Sequence, residues 1–69
     1  MAERNHTQVL VTELPDCDQC KVEGYNPVRK ARYDASTTHG GWMNLCTTHF
    51  RQYGRGLGLG VGQKLIERR

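Results

Sequence analysis

Apolar and polar residues alternate weakly at the start of the chain. Val9 and Val11 fall on one side, Leu10 and Leu14 on the other. That pattern predicts a short strand, or an arm over 1–14 that orders only in part. Pro15 closes it, and PDCDQCK (15–21) reads as a tight polar turn. VEGYNP (22–27) reads as a loop, since Gly24, Asn26 and Pro27 all break regular structure. Alternation then returns in KARYDAST: Ala31, Tyr33 and Ala35 share one face, Lys30, Arg32 and Asp34 the other. THGG (38–41) supplies turn positions that tolerate positive φ, and WMNLC (42–46) runs back, so 28–46 is expected to be a hairpin. The period then changes. Cys46, His49, Phe50 and Tyr53 fall at i, i+3, i+4 and i+7, one face of a short helix over 46–53, with Gly54 at its C-cap. Glycine occupies every second position from 54 to 62, and QKLIERR (63–69) reads as a frayed helical turn.

Length makes this pattern fragile. A chain of 69 residues, 36% of them apolar, holds one small domain with a thin core, and eight glycines raise the entropy cost of ordering it. A staple is required. Three cysteines is an odd number for a disulfide framework. No apolar run approaches the ~18 residues that cross a membrane, and the start of the chain lacks the apolar core of a secretion signal. The expected compartment is the cytoplasm, where thiols stay reduced and CxxC pairs serve metal or redox chemistry.

The cysteines supply the staple. Cys17 and Cys20 form a CxxC turn that brings two thiolates to one point. Cys46 and His49 sit three apart at a helix start, on the same face, where exposed N–H groups stabilise a thiolate. The 25 residues between Cys20 and Cys46 allow a hairpin to leave and return. The four are the expected ligands of one structural Zn2+, tetrahedral and closed. No βαβ pattern surrounds the CxxC, which excludes a thioredoxin-type reading. His6 and His39 read as surface histidines. Trp42 and Phe50 are the expected cover of the zinc site, being the main large apolar groups available.

The order of parts resembles the treble-clef zinc finger: CxxC turn, hairpin, then a ligand pair at a helix N-terminus. More closely, ARYDASTTHGGWMNLCTTHFRQYGRGLGLGVGQKL (31–65) is similar to a group of small zinc-finger proteins of actinobacteria and their phages. These carry an upstream CxxC, an AR(Y)DA…G.W..LC..(C/H)F segment and a glycine-rich GQ(R/K)L tail. The resemblance covers about half the chain plus the CDQC turn. It implies a small α+β zinc-stabilised, treble-clef-like fold, with the ligands on Cys17, Cys20, Cys46 and His49. Many treble clefs have cysteine as the fourth ligand and glycine after the first pair; here His49 and Lys21 stand there. The resemblance implies a phage setting, hence a host cytoplasm, and no particular activity.

Charge divides the chain. Residues 1–23 carry five acidic and two basic side chains, a balance of −3; residues 24–69 carry eight basic and two acidic, a balance of +6. The expected organisation is an N-terminal arm (1–14), a zinc-binding domain (15–53) and a glycine-rich tail (54–69). The tail either packs on the domain or binds a partner. Function then divides two ways, both non-enzymatic. The first is nucleic-acid binding through Arg29, Lys30 and Arg32 of the hairpin, Arg51 and Arg55 of the helix and its exit, and Lys64, with Arg68 and Arg69 beyond. In that reading Tyr25 or Trp42 stacks a base. The second is a protein-interaction module that modulates a host protein through Leu57, Leu59 and Val61. The protein is expected to be a monomer or homodimer, with no membrane and no small-molecule substrate. A nuclease of the HNH type is not expected, because His39 stands in a turn with no companion histidine and Asp34 is remote.

Overall fold

The computed structural model describes residues 7–68; the first six residues of the expected arm, His6 among them, and Arg69 lie outside the described residues. Six elements follow in order: β1 (Gln8–Val11), α1 (Asp18–Glu23), β2 (Tyr33–Ser36), β3 (Trp42–Leu45), α2 (Thr47–Tyr53) and β4 (Gly62–Glu67). The strands form one sheet in the order β1-β4-β2-β3, making this a small α+β domain.

The hairpin forms where alternation and turn residues place it. β2 and β3 pair antiparallel, Tyr33 with Leu45 through Ser36 with Trp42. Gly40 and Gly41 make the turn at φ 90° and 77°, where a Cβ would be strained. Ala31 and Ala35 are buried and Tyr33 half-buried, as the alternation requires. The first half of the expected strand leaves the sheet, however. Residues 29–31 pair instead with the first cysteine turn, Cys17 N–H to Arg29 O at 2.8 Å and Ala31 N–H to Pro15 O at 2.7 Å.

Three expectations fail. The stretch 15–27 is not all turn and loop: Cys17 caps the short helix α1, and Asp18 in its first turn suits the helix dipole. Gly24 ends it at φ 76°, its N–H bonding the Cys20 and Lys21 carbonyls. The segment 63–69 is not a frayed helix. β4 is an inner strand, antiparallel to β2 and parallel to β1. Strand pairing on both sides overrides a segment with no strong helical period. Trp42 does not join the core and is 50% exposed. It points to the opposite face of β3 from Met43 and the buried Leu45.

The core is correspondingly thin. Leu14, Ala31 and Leu65 pack with Cys17, Cys20 and Cys46, supported by half-buried Val9, Val11 and Val28. Phe50 is half-buried and stacks on Tyr33, centroids 3.9 Å apart and planes 11° from parallel. Gly54 stands at the C-cap of α2 with extended backbone, φ −69° and ψ 143°. The cap needs glycine for space, since a Cβ there would collide with the Phe50 ring and stand 2.7 Å from its carbonyl oxygen.

Between Gly54 and β4 the alternating glycines build an ordered loop. Arg55 N–H bonds Ser36 O at 3.0 Å, and Ser36 N–H bonds Val61 O at 2.8 Å. Gly58 and Gly62 exchange backbone bonds of 2.9 and 3.0 Å. Gly56, Gly58 and Gly60 have φ of 131°, 146° and 76°, conformations L residues rarely adopt.

Candidate metal centre

Each ligand pair is set by a helix start. Cys17 is the N-cap of α1, its Sγ accepting from Cys20 N–H at 3.4 Å, which aims both thiols inward one turn apart. Cys46 is the N-cap of α2 and His49 lies in its first turn. Antiparallel pairing of β2 and β3 carries Cys46 back toward the first pair.

All four side chains are buried, and their donor atoms lie within 4.8 Å of one another. His49 Nδ1 stands 3.5 Å from Cys17 Sγ, 3.6 Å from Cys20 Sγ and 3.4 Å from Cys46 Sγ. Cys20 Sγ and Cys46 Sγ are 3.9 Å apart. A zinc tetrahedron with bonds of about 2.3 Å to sulfur and about 2.05 Å to nitrogen has edges of about 3.8 Å (S–S) and about 3.55 Å (S–N). The observed edges fit. The sulfurs are far beyond the ~2.05 Å of a disulfide, and all three thiols are free. Cys17, Cys20, Cys46 and His49 thus form a single buried centre suited to one structural zinc. In it three thiolates and Zn2+ sum to −1, which takes the formal net charge from +3 to +2.

The thiols differ before metal binds. Burial pushes Cys20 up to about 11, opposed only in part by the Arg29 backbone. Burial pushes Cys46 up as well. There the backbone hydrogen bond at His49, with the other two thiols and Arg29, more than offsets it, and Cys46 falls to about 7.

One participant carries no spacing signal in the sequence. With Nδ1 facing the sulfurs, His49 Nε2 donates to Glu23 Oε1 at 3.1 Å. Glu23 Oε2 accepts from Gln19 Nε2 at 2.8 Å and Tyr53 O–H at 3.4 Å. The Gln19 amide above all, then His49 and Tyr53, hold the Glu23 carboxyl below its ordinary value against the opposing effect of burial. A carboxylate behind a ligand histidine fixes its tautomer and ring orientation. Tyr25 completes the cover, its ring edge-on to His49 at 5.3 Å and carrying the Arg29 guanidinium 5.0 Å above it. Tyr25 and Leu14 thus take the place expected for Trp42.

The candidate cations are distributed over several elements. Lys30 is tied to Asp16 at 3.0 Å, which raises its pKa. Arg32, Arg51, Arg55 and Lys64 are exposed, and among the described residues none has a carboxylate within 4.0 Å. Lys64 is the cross-strand neighbour of Tyr33, on whose ring Phe50 stacks, and Arg51 follows Phe50 in α2. The candidate apolar residues separate: Val61 is half-buried in the loop base, whereas Leu57 is 46% and Leu59 81% exposed. His39 lies at the surface, its ring edge-on to Tyr53 at 5.0 Å.

No protein family, no curated protein and no solved structure matches this chain.

Proposed function

We propose that this is a non-enzymatic nucleic-acid-binding module built on a treble-clef-like zinc centre, of the kind found in small phage zinc-finger proteins. The element order supports the treble-clef reading: first ligand pair at the start of α1, hairpin, second pair at the start of α2. The observation that carries the function is how the charges are used. Asp16 pairs with Lys30, Asp18 accepts from the Asn44 N–H, Glu23 holds His49, and Asp34 accepts from Gln63. Among the described residues, Arg32, Arg51, Arg55 and Lys64 face solvent without a carboxylate partner. The acidic groups are largely occupied by internal bonds, and the projected field is positive.

The test is salt-dependent binding of a labelled oligonucleotide to the zinc-loaded protein. Three or four phosphate contacts predict an affinity loss of about 40- to 150-fold between 50 and 200 mM salt. Replacing Arg51, Arg55 and Lys64 with glutamine should abolish most of the binding and flatten that slope. An affinity insensitive to both salt and these substitutions would refute the reading.

One observation favours a second reading, a protein-interaction module acting on a host protein. Leu57 and Leu59 project from an ordered glycine loop, where they contribute little to the core. A protein retained on the immobilised chain after nuclease and ~0.5 M salt, and lost with Leu57→Ser/Leu59→Ser, would establish it in place of the first.

A further inference from the structure

The sheet ends in two edges, and the fold treats them differently. β3 is one of them. There α1 packs along the strand, and the Asn44 N–H that faces away from β2 is taken by Asp18 Oδ2 at 2.9 Å. β1 is the other edge, and among the described residues β4 is its one strand partner. The carbonyls of Thr7 and Val11 accept from the Lys64 and Arg68 N–H groups. A parallel ladder uses every second residue of a strand. Thr7, Val9 and Val11 therefore bond β4, and the N–H and C=O groups of Gln8 and Leu10 face away from it. Outward peptide groups on a regular strand pair with one kind of ligand, another extended strand.

The sequence of the edge says which strand. TQVLVT (7–12) contains no charged residue and no proline, and the β1–β4 register runs without a bulge from Gln8 to Val11. The usual devices that keep edges apart are missing. No cavity opens along β1 to select the side chains of a foreign strand. A second copy, in contrast, matches the edge residue for residue. Turned about a twofold axis normal to the sheet, Gln8 lies opposite the second copy's Leu10, and Leu10 opposite its Gln8. Each such pair exchanges two bonds, so all outward peptide groups of β1 are satisfied. Val9 then stands against the second copy's Val9, a close β-branched pair. The axis also keeps the faces in line. Val9 and Val11, half-buried against Leu14 and Leu65, meet their own kind, and the thin core continues across the axis. Association of this sort is one of the ways a short chain supplements a small core.

We infer that β1 is a self-association edge, through which two chains pair antiparallel into one continuous sheet. The inference stands apart from the nucleic-acid reading. The experiment uses nuclease-treated, zinc-loaded full-length protein under reducing conditions. Sedimentation velocity from about 10 µM to about 1 mM spans the affinities of small interfaces. The expected result is a mass that rises with concentration from one chain to two. Salt at ~0.5 M should leave it unchanged, because the edge carries no charge. Amide hydrogen exchange supplies the pattern. In dilute protein Val9 and Val11 should be protected and Gln8 and Leu10 open; in concentrated protein Gln8 and Leu10 should close. Leu10→Pro removes an outward N–H and leaves the β1–β4 ladder its bonds. By symmetry the dimer loses two hydrogen bonds, a weakening of about 5- to 150-fold. Leu10→Lys keeps the peptide group, sets a charge on the edge and should weaken the dimer as well. Val22→Ser, which alters an exposed apolar residue of α1, should not. Circular dichroism checks that each variant folds.

Three results would overturn the inference. One is a chain that stays monomeric to about 1 mM. Another is a dimer that both Leu10 variants, when folded, leave within twofold of wild type, since a different surface then joins the copies. The third is protection of the Gln8 and Leu10 amides in the dilute monomer, which puts the cover of the edge within the chain itself. If the proline variant fails to fold, the lysine variant and the exchange pattern of the wild type decide.

Discussion

Glu23 offers the sharpest test of the metal centre, because the ligand set alone does not require it. Its Oε1 accepts from His49 Nε2 at 3.1 Å, while Oε2 is held by Gln19 and Tyr53. His49 is fully buried, yet the Glu23 side chain is 32% exposed. In Glu23→Ala, water can therefore take over as acceptor of the Nε2 proton, at the cost of the fixed ring orientation. Loss of a carboxylate behind a ligand histidine lowers metal affinity by about 10- to 100-fold, and partial water replacement puts this site near the tenfold end. Glu23→Gln keeps an acceptor for Nε2 but turns an N–H2 group toward the Gln19 amide, so a loss of only a few-fold is expected. The sign with pH follows from the depressed carboxyl. The charged form is favoured in the fold, so its contribution is complete above the ordinary value of 4.5. It disappears as pH falls through the lowered folded value, and the difference between wild type and variant should be full at pH 7. The assay is competition with a chromogenic zinc chelator, with circular dichroism confirming that the variants fold. A Glu23→Ala affinity within twofold of wild type would refute the argument. It would show that helix geometry and the Tyr25 ring suffice to orient His49.

Other outcomes follow from the same structure. Chelation of zinc should remove most of the far-ultraviolet circular dichroism, and restored zinc should return it, since the centre joins both helices to the hairpin. Proton release on zinc binding, measured calorimetrically in buffers of different ionisation enthalpy, distinguishes two metal-free states. An unfolded chain at pH 7 loses about three thiol protons. A preformed site releases fewer, because Cys46 is held below its ordinary thiol value and is in part ionised before metal arrives. Gly62→Ala should destabilise the zinc-loaded protein by about 1–3 kcal/mol in chemical denaturation through overpacking. A Cβ there would collide with the Gly56 carbonyl and stand 2.7 Å from Ala35 Cβ.

The parts of this fold that sequence reveals are those fixed by local rules. Thiols three apart and a cysteine–histidine pair at a helix start depend only on spacing, so the ligand set can be read without knowing the fold. The hairpin depends on alternation and on two glycines at positive φ, and both are local. What escapes is set by contacts far apart in the chain. β4 carries two of its apolar residues as neighbours, Leu65 and Ile66, and no alternation marks it. Its conformation comes from pairing with β1 and β2, whose nearest ends lie about 26 residues away or more. The short helix α1 shows no apolar period because it is anchored by a thiol cap and a glycine stop, not by an apolar face. Glu23 escapes for the same reason: its partner His49 is 26 residues away and meets it only once both helices have formed.

Trp42 is the instructive exception. Size and apolarity assign it to the core of a small chain, and on burial alone that assignment is favourable. The strand decides otherwise. Leu45 is fully buried, pairs with Tyr33 and lies beside the ligand Cys46. Alternation along β3 then sends Met43 to the Leu45 side and Trp42 to the opposite side. A shift of one residue would bury the tryptophan and expose Leu45. It would also move Cys46 and its helix start out of line with Cys17 and Cys20. The register of the hairpin is thus held by the metal centre, and the exposure of Trp42 is a consequence of where Cys46 must stand. A residue kept at the surface by such a constraint needs no functional reason to be exposed.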